Sequence, residues 1–192
     1  MTQAGMPNPI ELYEGARDYM IPIIGGVQAS QLSSSTPCTE WNVKQLINHN
    51  LLVAEWIHRT LTGGEGVDPF AVDGDLPEEG AQAAFAAVTN KVLDAIKAPG
   101  MLEKVITTPF GEMPAGNFLM FPFGDILIHK WDLAKATNLD TAMDSSMADS
   151  CLQVMSPMLQ GNREGGFFGP EVTVPIDASD RDKLLGLCGR NP

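Results

Sequence analysis

The sequence predicts an all-α protein: a four-helix bundle with a small β-hairpin and a C-terminal extended tail that ends in a short helix. Three observations lead there. Apolar residues recur at helical spacing through most of the chain. One stretch, residues 103 to 115, breaks that pattern with β-branched residues around Pro109-Phe110-Gly111-Glu112, which reads as a hairpin. No repeat, low-complexity segment or long linker divides the 192 residues, so 1–192 is expected to form a single domain.

The elements follow in order. Ile10, Tyr13, Ala16, Met20, Ile24 and Val27 mark the first helix, and Pro22 inside it predicts a kink, because its ring removes a donor and clashes one turn back. The polar stretch "QASQLSSSTPCTE" is a loop. Asn42, with Gln45 three residues on, resembles a capping box and opens the second helix, which Gly63-Gly64 stops. Pro77 stands at a first-turn position of the third helix, where Glu78 and Glu79 suit the positive end of the helix dipole. Ala81, Ala84, Phe85, Val88, Val92 and Ile96 form its stripe, and Pro99-Gly100 ends it. The fourth helix runs from about Ala115 to Thr137 and is apolar on nearly every side, which predicts a central position. A fifth carries Met147, Cys151, Val154, Met155 and Met158 on one side. The tail, about 163–192, holds Phe167, Phe168, Val172 and Val174 in an extended strip, then a short helix from about Ser179. Too short for a core of its own, it is expected to pack back on the bundle or on a second subunit of a homodimer.

Composition narrows the partners. A net charge of −12 argues against a nucleic-acid surface or an anionic membrane, both of which need concentrated Lys and Arg. The most apolar run, "FLMFPFG" into "ILI", is interrupted by Asp125 and too short to span a bilayer. No secretory signal is visible at the start. Cys38, Cys151 and Cys188 are far apart, with no CxxC, which fits reduced thiols in a cytoplasmic protein.

Chemistry concentrates in the fourth helix. Asp125 and His129 lie at i and i+4, so both side chains leave one face. A carboxylate on a central apolar helix must be neutralised, paired or bound to a cation. The pair therefore reads either as an intrahelical hydrogen bond at a bundle edge or as two metal ligands awaiting a third. The remaining histidines, His49 and His58, are nine positions apart, about 180° around a helix, so they cannot serve one centre together. Periodicity does not choose between them.

Three segments, "TPCTEWNVKQLINHN", "HKWDLAKATN" and "FGPEVTVPIDASDRDKLLGLCGRNP", occur in this order together with the hairpin "TPFGEMP". So arranged, they resemble the actinobacterial metal-binding proteins of the DinB-like superfamily, the group related to the N-terminal domain of mycothiol-dependent maleylpyruvate isomerase. The resemblance spans nearly the whole chain. It implies a four-helix bundle of DinB-like type holding a divalent metal on three side chains. Carried over to this sequence, they are His49 on the second helix and the pair Asp125 and His129 on the fourth, with His58 outside the pattern. Asp125 departs from the isomerase, which has Glu there.

Two imidazoles and one carboxylate suit zinc, with nickel or iron as alternatives, and leave coordination positions open. Asp132 is placed either to accept a hydrogen bond from a ligand imidazole or to sit as a helix-surface carboxylate. The function implied is that of a metal-dependent enzyme using a low-molecular-weight thiol such as mycothiol, of S-transferase or isomerase type, with an electrophilic substrate. The alternatives are a metal-dependent hydrolase and a non-catalytic metal- or ligand-binding protein. No further catalytic residue is assigned.

Overall fold

Residues 8–159 and 168–192 are described by the computed structural model and fall into two compact units, Asn8–Thr141 and a C-terminal unit from Ala142 onward. Phe167, residues 163–166 and the side chain of Met158 lie outside the described residues.

The first unit contains four long helices: α1 (Pro9–Gly26), α2 (Val43–Thr62), α3 (Ala81–Ile96) and α4 (Ala115–Thr137). Helix α1 packs against α3 and α4, and α2 packs against the same two, so α1 and α2 stand on one diagonal of the bundle and α3 and α4 on the other. Tyr13 and Met20, Leu46 and Ile57, Phe85 and Ile96, Phe118 and Phe123 form the fully buried centre. Helix α4 is buried on nearly all sides, as its composition predicts. The Asn42–Gln45 capping box forms reciprocally, and α2 ends before Gly63. Helix α1 runs continuously through Pro22.

The hairpin is β1 (Val105–Thr108) paired antiparallel with β2 (Gly111–Pro114). Pairing extends to Thr108 and Gly111, so the turn is the dipeptide Pro109-Phe110, tighter than the sequence suggests. The Thr108 hydroxyl fastens it by donating to the Gly111 carbonyl at 2.8 Å and accepting from the Phe110 N–H at 3.1 Å.

One expectation is corrected. Pro77, Glu78 and Glu79 do not open α3; they form a separate turn, closed by the Gly80 N–H donating to the Pro77 carbonyl at 3.0 Å. Gly80 then takes φ +94°, a conformation an L side chain rarely adopts, and that breaks any continuous helix from Pro77 into Ala81.

In the C-terminal unit α5 (Ser145–Leu159) packs against α6 (Asp180–Leu187). Met147, Cys151 and Met155 on α5, and Leu184, Leu185 and Cys188 at α6, are buried, while Val154 is half-buried. Ser179 caps α6 by accepting from the Asp182 N–H at 3.2 Å. The strip before α6 lies against its end: the Val172 N–H donates to the Gly186 carbonyl at 2.9 Å. Only glycine fits at 186, because a Cβ there would meet the Val172 carbonyl oxygen at 2.5 Å. Among the described residues no helix is long and apolar enough to cross a membrane.

Candidate metal centre

The site is built on the seam between α2 and α4. Trp56 meets Phe118 with ring centroids 5.3 Å apart, while His49, two turns earlier on α2, meets Asp125 and His129 further along α4. Advancing along one helix is retreating along the other, so the two run antiparallel and their facing residues pair turn by turn.

His49 is held from behind by the loop that follows α2. Asn48 donates to the carbonyls of Val72 at 2.9 Å and Gly74 at 2.7 Å, and Gln45 donates to Asp73 at 2.8 Å. So fastened, the loop brings the Pro69 carbonyl to 2.9 Å from His49 Nδ1. A carbonyl only accepts, so Nδ1 carries the proton and donates. The Nε2 of a neutral His49 is then a bare lone pair. His129 is arranged alike on α4: its Nδ1 lies 3.0 Å from Oδ2 of Asp132, a residue with no exposed surface. Asp132 thus occupies the orienting position and not the helix surface.

Both Nε2 atoms turn toward one carboxylate. His49 Nε2 is 3.5 Å from Asp125 Oδ2, and His129 Nε2 is 3.4 Å from Asp125 Oδ1. One ligand atom from each of the three residues lies within 4.8 Å of the others. Oδ2 of Asp125 is buried and has no hydrogen-bond partner among the described residues, although the side chain as a whole keeps 30% of its exposure. Three acceptors facing one another repel unless a positive charge stands among them. In the metal-free protein a proton on His129 takes that part. Burial alone would lower the His129 pKa, but Asp125 and Asp132 beside it push it up to about 9. Burial alone would raise Asp125, but the His129 and His49 imidazoles outweigh it and hold the carboxyl well below the usual range. The orphaned oxygen and the two preset lone pairs fit a divalent cation equally well: this donor set suits zinc-type ions and leaves open positions.

Aromatic rings wall the site. Trp41 lies over His49 with centroids 4.3 Å apart and is 6.0 Å from His129; Phe70, on the fastened loop, is 5.8 Å from His49. The three histidines separate cleanly. His49 and His129 join Asp125, whereas His58 stands outside the group, half-buried on α2. Sequence reading missed Asn48, Pro69 and Phe70; only the polar Asn48 on an otherwise apolar helix face offered a signal.

Fold and site together define a class: a helical bundle with a candidate His/Asp/His metal centre on one inter-helical seam. The chain belongs to the mycothiol maleylpyruvate isomerase N-terminal domain family, whose sequence model matches residues 14–134, a span containing the whole site. Among curated proteins it is similar to the uncharacterized protein Rv0738 of Mycobacterium tuberculosis (strain ATCC 25618 / H37Rv), 29% identical over 190 residues, covering 95% of this chain and 98% of the relative. The uncharacterized protein MT0763 of the CDC 1551 / Oshkosh strain matches to the same extent. Among solved structures, the mycothiol-dependent maleylpyruvate isomerase has the same fold, with TM-score 0.63 and 14% identity over 85% of this chain and 73% of that one. A histidine-to-alanine mutant of that enzyme gives TM-score 0.53 and 15% identity over the same shares.

Proposed function

We propose that the protein is a divalent-metal-dependent enzyme that uses a low-molecular-weight thiol such as mycothiol, of S-transferase or isomerase type. The observation that carries this reading is the convergence of three ligand atoms, His49 Nε2, His129 Nε2 and an Asp125 oxygen, on one point, with no donor to Asp125 Oδ2 among the described residues. Family membership supports the choice of thiol, since the family takes its name from a mycothiol enzyme. Zinc is the first candidate, nickel or iron the next. A cation bound there would lower the pKa of a thiol ligand, so that the nucleophilic thiolate prevails near neutral pH.

The chain's own residues would do the rest. Pro69 and Asp132 keep both imidazoles in the one tautomer that presents Nε2 inward. Trp41 and Phe70 cover the His49 side, leaving the partly exposed edge of Asp125 as the approach for thiol and electrophile.

The test begins with elemental analysis of protein purified without a chelating tag, with about one metal ion per chain expected. Calorimetry of a thiol on the loaded protein, in two buffers of different ionisation enthalpy, should then show a proton released on binding. A loaded protein that binds no thiol but cleaves an ester or amide would make it a hydrolase instead. A chain that takes up no metal at all would reject the reading.

A further inference from the structure

One turn along α4 from Asp125, on the same face and about 6 Å along the helix axis, stands Phe121. It is half-buried, and the tip of the hairpin lies on it: the rings of Phe110 and Phe121 stack with centroids 5.0 Å apart and planes 11° from parallel. Trp56, on the facing turn of α2, meets the Phe110 ring edge-on at 6.5 Å. Phe110 is 55% exposed, which a two-residue hairpin turn does not require, since Gly, Asn or Asp usually serves at such tips.

The hairpin thus extends an aromatic shelf from the bundle surface toward the open edge of the metal centre. The three rings themselves carry no charge, although Glu55 precedes Trp56 on α2 and Glu112 follows Phe110 by two residues on β2. The basic side chains of the two site helices are engaged elsewhere. Lys44 pairs with Asp75 at 3.0 Å, and Arg59 with Glu55 at 2.6 Å. Lys130 donates to the Asp140 carbonyl at 2.8 Å, and Lys135 lies over the Trp131 ring at 5.2 Å.

We infer that Phe110, Phe121 and Trp56 form a specificity subsite that receives the apolar, uncharged portion of the substrate, an aryl or alkyl group linked by a short chain to the atom reacting at the centre. The inference rests on the metal reading above for the position of the reacting end. The three rings offer a carboxylate no cation, while a flat or extended hydrocarbon gains both buried area and ring contacts there.

The experiment compares two neutral zinc-directed probes on the zinc-loaded full chain by calorimetry: N-hydroxyacetamide, which reaches only the metal, and N-hydroxy-4-phenylbutanamide, whose phenyl group reaches one helical turn further. The longer probe should bind about tenfold tighter or better. Phe110→Ala should cut that advantage several-fold and Phe110→Leu less. Neither should change the affinity for N-hydroxyacetamide or for zinc. Phe110 is exposed at a turn, so both variants should fold, which circular dichroism checks. Equal affinities for the two probes, or an advantage untouched in Phe110→Ala, would overturn the subsite while leaving the metal centre standing. If the chain holds no zinc the metal reading fails, and the subsite is decided on metal-free protein with neutral 4-phenylbutanamide. Shifts of the Phe110 ring protons in its NMR spectrum would support the subsite, and their absence would reject it.

Discussion

The two sides of the bundle handle polar groups in opposite ways. Between α1 and α3, Arg17 donates to the Thr89 hydroxyl at 3.0 Å and to Asn90 at 2.7 Å, Thr89 donates in turn to the Phe85 carbonyl, and Lys97 pairs with Glu14 at 3.0 Å. These donors each meet an acceptor, and the result is a fastening, although the buried Tyr13 hydroxyl, one turn before Arg17 on α1, has no partner among the described residues. On the α2–α4 seam the outer ends of the polar groups are just as well tied, through Pro69 and Asp132, but the inner ends, once the His129 proton is gone, are acceptors facing an acceptor. Complementary polar groups hold helices together. A convergence of like acceptors costs stability unless something positive joins it, so it marks a place for a ligand.

The largest expected break of this contrast is His129→Ala. It should lower metal affinity by about 100-fold or more, because two remaining side chains no longer enclose the ion, while circular dichroism still reports a folded bundle. Arg17→Ala on the opposite side should do the reverse. It should lose about 1 kcal/mol of stability through its broken hydrogen bonds and bind metal as before. Asp132→Asn comes next. The amide still fills the buried space but no longer favours the His129 tautomer and basicity that a carboxylate does, so metal affinity should fall about 10–100-fold in a competition titration.

Acidity sharpens the same comparison. In the metal-free protein His129 titrates at about 9 against 6.5 for the ordinary side chain, so its proton stabilises the fold. That contribution is complete below about pH 6.5 and is lost as pH rises through 9. Asp125 is shifted the other way, and its contribution is present above the ordinary carboxylate pKa of 3.8 and lost as pH falls below it. The metal-free protein should therefore melt highest between about pH 4 and 6.5 and lose several degrees by pH 9. Zinc-loaded protein, whose cation replaces the proton, should lose much less over that alkaline range.

Much of this was legible in the sequence, and the exceptions have physical causes. The bounds of α4 could be read because an all-round apolar stretch between a hairpin and Asn138 has few alternatives. The start of α3 could not, since Pro77-Glu78-Glu79 has the chemistry of a helix N-terminus and only the φ of Gly80 reveals the break. The spacing of Asp125 and His129 marked them as a pair but left hydrogen bond or metal ligation open, and only the family resemblance preferred His49 over His58 as their partner. The Pro69 carbonyl was invisible, because every residue carries one and only the fastened loop gives this one its position. Phe110 could be assigned to the hairpin, but its partners Phe121 and Trp56 come from two other elements that pattern alone does not bring together.

The smallest expected effect belongs to His58→Ala. His58 shares its helix and its chemistry with His49, and the apolar arc of α2 is broad enough that periodicity treats them alike. Nine positions place them about half a turn apart around the axis. His49 is buried at the seam with both ring nitrogens near acceptors, whereas His58 is half-buried outside the metal group. Its backbone carbonyl accepts from the Thr62 hydroxyl at 2.8 Å, a bond that survives truncation of the side chain. The variant should therefore keep full metal stoichiometry and lose less than about 1 kcal/mol of stability, as expected at a boundary position away from any polar network. Elemental analysis and a denaturant titration beside His49→Ala, which should lose the metal, make the comparison direct. If His58→Ala lost the metal and His49→Ala kept it, α2 would have to be turned half a revolution from the orientation described, and the seam would no longer hold a site.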